Sequence, residues 1–171
     1  SLKANKITLN NIQSDALDSD FSEINIKSLS CNNVGNDCID LSFSKGLVNN
    51  INANIINDKA ISLGESSTLD VNKVDIKNSE IGAVCKDSSI LKINNLDFQN
   101  LKLPLAAYIK KPEYGSPIIT IENSNSPSSL NYLISKDSKV KIFGKKVQSE
   151  LSSAEVKDKL YGNIYGSKTI R

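Results

Sequence analysis

The sequence predicts an all-β chain, a right-handed single-stranded parallel β-helix (solenoid) of about six coils with a short C-terminal capping helix. Three observations predict it. Apolar residues recur in register every 22 or 23 positions, they alternate at period two inside each unit, and turn residues fall at similar places in successive units.

The repeat comes first, because a missed period mis-assigns the whole fold. Ala16, Cys38, Ala60, Ala83 and Ala106 stand 22, 22, 23 and 23 positions apart, each ahead of a short apolar alternation. Ala4, Ile26, Val48, Val71 and Ile93 follow intervals of 22, 22, 23 and 22. Two further columns, Ile7-Leu29-Ile51-Val74-Leu96 and Leu9-Cys31-Ala53-Ile76-Phe98, keep the same register. Segments such as Ile39-Asp40-Leu41 and Ile61-Ser62-Leu63 alternate as a strand with one buried face does. A period this short, without a leucine-rich consensus, leaves a coil of parallel strands stacked on the next coil, at a rise of about 4.8 Å per coil. The expected inward ladder is Ile39, Ile61, Val84 and Ala107.

One domain over residues 1–171 is expected, with coils over about 4–143 and a cap over about 150–165. The period breaks at the two-proline loop from Lys110 to Pro117 and again at Asn125-Ser126-Pro127, as excursions from the stack would. Ser152 and Glu155 have capping-box spacing, so residues 153–161 are expected to be helical and to cover the last coil, burying Leu160. The first repeat starts close to Ser1 with no comparable cap, the arrangement expected of the C-terminal part of a longer protein with upstream domains.

Composition removes several function classes. A net charge of +2 from 21 basic and 19 acidic residues, mixed throughout, gives no stripe for nucleic-acid phosphates. The longest weakly apolar run, Leu101 to Ile109, contains Lys102 and Pro104, so no membrane span is expected. With no histidine and no paired-cysteine motif, Cys/His zinc sites and histidine-based triads drop out. No metal or cofactor is expected. Three cysteines cannot all pair. Cys31 falls in an apolar column, Cys38 is buried only if the chain bends before Ile39, and Cys85 is expected to face outward. Asparagines at equivalent turns are expected to stack as side-chain ladders.

The residues Gly35-Asn36-Asp37-Cys38-Ile39-Asp40-Leu41, Asn57-Asp58-Lys59-Ala60-Ile61-Ser62-Leu63-Gly64-Glu65, Ile81-Gly82-Ala83-Val84-Cys85-Lys86-Asp87 and Tyr108-Ile109-Lys110-Lys111-Pro112-Glu113-Tyr114-Gly115 resemble the pectin-lyase-like, right-handed β-helix repeat family. More narrowly they resemble C-terminal β-helix modules of bacterial exported proteins, some of which also carry a spore-coat-type (CotH-like) kinase domain. The similarity runs over roughly residues 4 to 165 and extends to the closing Leu160-Tyr161-Gly162-Asn163-Ile164-Tyr165-Gly166. It implies a secreted, cell-surface or periplasmic location, and glycan chemistry as a family property rather than as something this repeat demonstrates.

Strict alternation places Asp18, Asp40, Ser62, Cys85 and Tyr108 in one outward column. Asp37 and Lys59 sit three positions ahead of Asp40 and Ser62, and Glu65, Lys86, Asp87, Lys110 and Lys111 gather where the strands turn. With Tyr114 on the adjoining loop, these make the candidate ligand face. A lysine beside carboxylates suits an acidic sugar, as anchor or as stabiliser of enolate-like charge with a base nearby. The plainer reading is that the column is polar because it faces water, with charges offset between coils. Three readings follow: a noncatalytic module of an exported or surface protein that binds a polysaccharide or surface glycan, a lyase or epimerase acting on acidic glycans, or a fibre or tail-spike-like segment. A concave groove with a perturbed carboxylate or lysine favours a ligand site, a flat solvated face favours display, and a continuous apolar flank favours a fibre.

Overall fold

The computed structural model describes residues 1–125 and 130–165; the expected break at Ser126-Pro127 and the closing Gly166 lie outside them. Long strands alternate with short ones. Leu2–Ile12 (β1), Glu23–Val34 (β3) and Lys45–Ile56 (β5) are each followed by a short partner, Leu17–Asp20 (β2), Ile39–Ser42 (β4) and Lys59–Gly64 (β6). In the next two coils the long and short pieces merge as Thr68–Lys86 (β7) and Ile90–Tyr108 (β8). Ile118–Asn123 (β9) and Tyr132–Ile134 (β10) complete a sixth turn, before Lys139–Ile142 (β11), Lys145–Val147 (β12) and the helix Ser153–Leu160 (α1). Parallel pairing in the order β1-β3-β5-β7-β8-β9-β11, with β2-β4-β6-β7 and β8-β10 alongside, makes a parallel β-solenoid of about six turns.

Two stacked corners turn the chain. Asn11, Asn33, Ile55, Asn78 and Asn100 all take φ between 51° and 57°, a left-handed conformation that asparagine tolerates. Their amides form the expected ladder: Asn33 donates to Asn11, Asn78 to Asn54 and Asn100 to Asn78, at 2.8 to 3.0 Å. The second corner carries Phe21, Phe43, Glu65 and Asp87, also at positive φ. Behind it Ser22, Ser44 and Ser67 each donate a backbone N–H to the hydroxyl of the serine one coil on, the last being Ser89, at 3.0 to 3.1 Å. The serine hydroxyls thereby satisfy those backbone N–H groups of the second corner.

The columns through Ala4, Ile7 and Leu9 hold in every coil where they pair. The alanine column does not. Ile61 pairs with Ala83 and Ala83 with Leu105, so the inward ladders are Ile39-Ile61-Ala83-Leu105 and Leu41-Leu63-Cys85-Ala107. Val84 faces outward in the column Asp40-Ser62-Val84-Ala106, and Cys85 faces the core, correcting both expectations. The place below Ala60 falls to Gly82, between the Lys59–Ile81 and Ile61–Ala83 pairs. Only glycine fits there, because a Cβ would stand 2.3 Å from the Pro104 carbonyl oxygen. The extra residue of the fourth coil lies in the turn after Gly64 and is given back before Ile81, so the spacing over the short strands stays at 22.

Cys31 and Cys38 form a disulfide across the inside of the second coil, with Cα atoms 5.8 Å apart and both residues buried. Helix α1 forms where expected, with Ser152 accepting from the Glu155 N–H and Glu155 accepting from the Ser152 N–H. Val156 and Leu160 are buried, but not over the end coil. They pack on the outer flank against Ile81, Val84, Leu103, Ala106, Tyr108 and Leu133, a second apolar cluster outside the solenoid interior. The end of the stack is closed instead by β12, which turns back antiparallel on β11.

Candidate functional site

The outward column changes character along the stack. In the early coils it reads Asp18, Asp40 and Ser62, whereas from the fourth coil it reads Val84, Ala106 and Leu133, which α1 covers. Where the covered part meets the open part lies a groove of about 550 Å³. Asn36, Asp37, Asp40, Asp58, Lys59 and Ser62 form one side with Lys86 and Lys110, and the end of α1 supplies Lys157, Asp158 and Tyr161.

Corner carboxylates position this wall. Asp15 Oδ1 accepts from the Asp37 N–H at 2.9 Å, Asp37 Oδ1 accepts from the Lys59 N–H at 2.9 Å, and Asp87 Oδ1 accepts from the N–H groups of Lys110 and Lys111 at 2.7 and 2.9 Å. Asp15 and Asp37 thus each hold the backbone of the next coil at one corner, and Asp87 does the same at the other. The buried Lys59 ammonium reaches Asp37 Oδ1 at 3.4 Å and also bonds Asp58 Oδ2, while Asp58 Oδ1 is buried with no hydrogen-bond partner among the described residues. Burial pushes the Asp37 carboxyl up to about 7; Lys59 opposes that rise, and Asp58 and Asp40 add to it. Burial works against the Lys59 charge, but Asp37 and Asp58 outweigh it and hold the ammonium above its usual range. Lys86 donates to Ser62 Oγ at 3.1 Å, and Lys110 lies 5.9 Å from the centre of the Tyr161 ring. Among the described residues, Lys86, Lys110 and Lys157 have no carboxylate partner.

The expected face divides. Asp37, Asp40, Lys59, Lys86 and Lys110 meet in the groove. Asp18 is exposed further up the same column, its carboxyl raised by partial burial and by Asp40. Tyr108 does point outward, yet it is fully buried beneath α1 with its hydroxyl 3.3 Å from that of Tyr161, so it offers no stacking surface. Burial, then Tyr161, raises its phenol above the usual range. Cys85 is in the core, where burial pushes its thiol up to about 12. Glu65, Lys111 and Tyr114 gather at the other corner. Lys111 pairs with Glu65 at 2.6 Å, and the Tyr114 ring lies 6.3 Å from Phe43. Gly115 is tied to Ser88, so beyond Lys110 the two-proline loop packs at that corner instead of lining the groove. Sequence reasoning missed Asn36, Asp58, Lys157, Asp158 and Tyr161. Asp58 could have been found from its place beside Lys59, but the helix residues depend on which flank α1 covers.

The described residues hold no group of three or more His, Cys, Asp or Glu side chains arranged to bind a metal, and they include no helix long and apolar enough to cross a membrane. Fold and site together define a parallel β-solenoid with a charged groove at one corner. No protein-family model matches the chain, and neither the curated proteins nor the solved structures give a significant match.

Proposed function

We propose that this domain is a noncatalytic binding module of an exported or surface protein, and that it holds an acidic saccharide in the groove beside α1. The observation that carries this reading is the convergence of Lys86, Lys110 and Lys157, none neutralised by a described carboxylate, on one concavity of about 550 Å³. Lysines on three separate elements can meet a carboxylate from several directions, while Asp40 and Ser62 accept from sugar hydroxyls. The Cys31–Cys38 disulfide supports an oxidising compartment, as expected of an exported protein. The coil architecture and the quoted repeats support the resemblance to the pectin-lyase-like family and to bacterial exported modules. On an array of acidic oligosaccharides, Lys86→Ala with Lys110→Ala should lose binding while the fold is kept. Unchanged binding in that variant would place the site elsewhere, and no binding by the unaltered domain would remove the glycan reading.

A second reading is a lyase or epimerase on acidic glycans, favoured by one observation: Asp37, held near neutrality by burial, lies beside the Lys59 ammonium in the same groove. Incubation with uronate polymers, followed by the absorbance of unsaturated products and by NMR of the sugar configuration, tests it. Turnover that Asp37→Asn abolishes would replace the binding-module reading, and no turnover would retire the enzymatic one.

A further inference from the structure

The open part of the outward column carries its charges in two blocks. Asp18 and Asp40 stand opposite each other on adjacent coils, and Asp20 lies on the same strand as Asp18. Among the described residues none of the three has an ion-pair partner. Partial burial, then Asp40, Asp20 and Asp15, raises the Asp18 carboxyl, as expected where like charges gather without a cation. The ammonium block begins one coil further on. Lys86, 7% exposed, lies across Gly64, where a Cβ would stand 3.7 Å from its Cε, and reaches Ser62 Oγ at 3.1 Å. Glu65, which feels the Lys86 charge, is already held by Lys111 and Ser42. Lys86 is therefore a buried ammonium that bonds a hydroxyl and has no counterion of its own. Asp58, buried on the wall of the same groove, keeps Oδ1 with no donor among the described residues, which points to a donor from outside the chain.

Resting on the acidic-saccharide reading above, we infer that the groove takes a zwitterionic saccharide, whose acidic group lies among Lys86, Lys110 and Lys157 and whose free amino group bridges Asp40 and Asp18. Coil stacking sets the spacing. Asp40 is one rung and Asp18 two rungs from Ser62, so the ammonium sits about 5 to 10 Å from the acid, the reach of an amino sugar joined to an acidic one. A sugar hydroxyl satisfies Asp40 as an acceptor but leaves its repulsion with Asp18. An ammonium has three donors and a charge, so it answers both carboxylates at once. A purely acidic polymer places its next carboxylate against Asp40 and Asp18, where like charges oppose it.

Oligosaccharides of alternating glucuronate and glucosamine, with the amine free or N-acetylated, test this by titration calorimetry beside oligogalacturonate. EDTA is present throughout, so that no divalent cation stands in for the amine. The free-amine form should bind about five- to tenfold tighter than its N-acetylated twin, the effect of one or two screened ion pairs, and the ratio should shrink with added salt. Asp18→Asn with Asp40→Asn, an isosteric change at exposed and half-buried sites, should bring that ratio to about one. A ratio near one in the unaltered domain, or a preference that survives the double variant, overturns the inference. The acidic-saccharide reading then still stands if the N-acetylated form or oligogalacturonate binds and Lys86→Ala with Lys110→Ala abolishes it. Binding of none of the three probes overturns both.

Discussion

Ile55 holds a φ of 57° at a corner where the other coils place asparagine. A β-branched side chain is strained there, and this one is 43% exposed, so it recovers little by burial. Ile55→Asn should therefore stabilise the domain by about 0.5–1 kcal/mol, read as a higher urea midpoint with an unchanged slope. Asp37 works the other way on pH. Its carboxyl rises from 3.8 to about 7 on folding, so the folded state binds the extra proton. The stability this contributes is complete below about pH 4 and is lost as pH rises through about 7. Asp37→Asn keeps an oxygen to accept from the Lys59 N–H and removes the titration, so its stability should be flatter over that window in urea unfolding at stepped pH. An equally steep profile in the variant would assign the dependence to another group.

At the scale of elements, α1 is the part of the groove that can detach. It is eight residues long, too short to be helical alone, and rests on its capping box and on Val156 and Leu160 against the flank. Ser152→Ala should cost about 1 kcal/mol of helix docking. The loss should appear as faster exchange of the α1 amides and readier quenching of Tyr108 fluorescence, with the β5 and β7 amides unaffected. The strands were legible from their alternation because one face of each is buried and the other is not. The flank under α1 breaks that rule: both faces are buried from Ile81 to Cys85, so alternation no longer reports direction and does not reveal that Val84 faces outward.

At the scale of the molecule, the solenoid is a stack in which each coil meets only its neighbours, and the Cys31–Cys38 disulfide ties the interior of the second coil. Replacing both cysteines by alanine should lower stability by about 2 kcal/mol, and reducing agent should destabilise the parent chain but not the variant in urea titrations. Exchange in the variant should rise most in β1 to β4, because the first coils have the open edge beside them and the central coils have neighbours on both sides.

Coil period, parallel stacking, three of four core columns and the asparagine ladder were determined by the sequence alone, since each arises from interactions repeated at one fixed spacing, and the extent of α1 was determined by its local capping box. Tertiary structure alone decided the rest. The flank on which α1 lies follows from the apolar patch that Val84, Ala106, Tyr108 and Leu133 assemble from separate coils, which no single segment displays. The pairing of Cys31 with Cys38 required knowing that the corner between them brings their Cα atoms to 5.8 Å. The groove required both: Lys59 and Lys86 come to it through coil stacking and Lys157 through helix docking, a proximity set by packing across the chain and not by spacing along it.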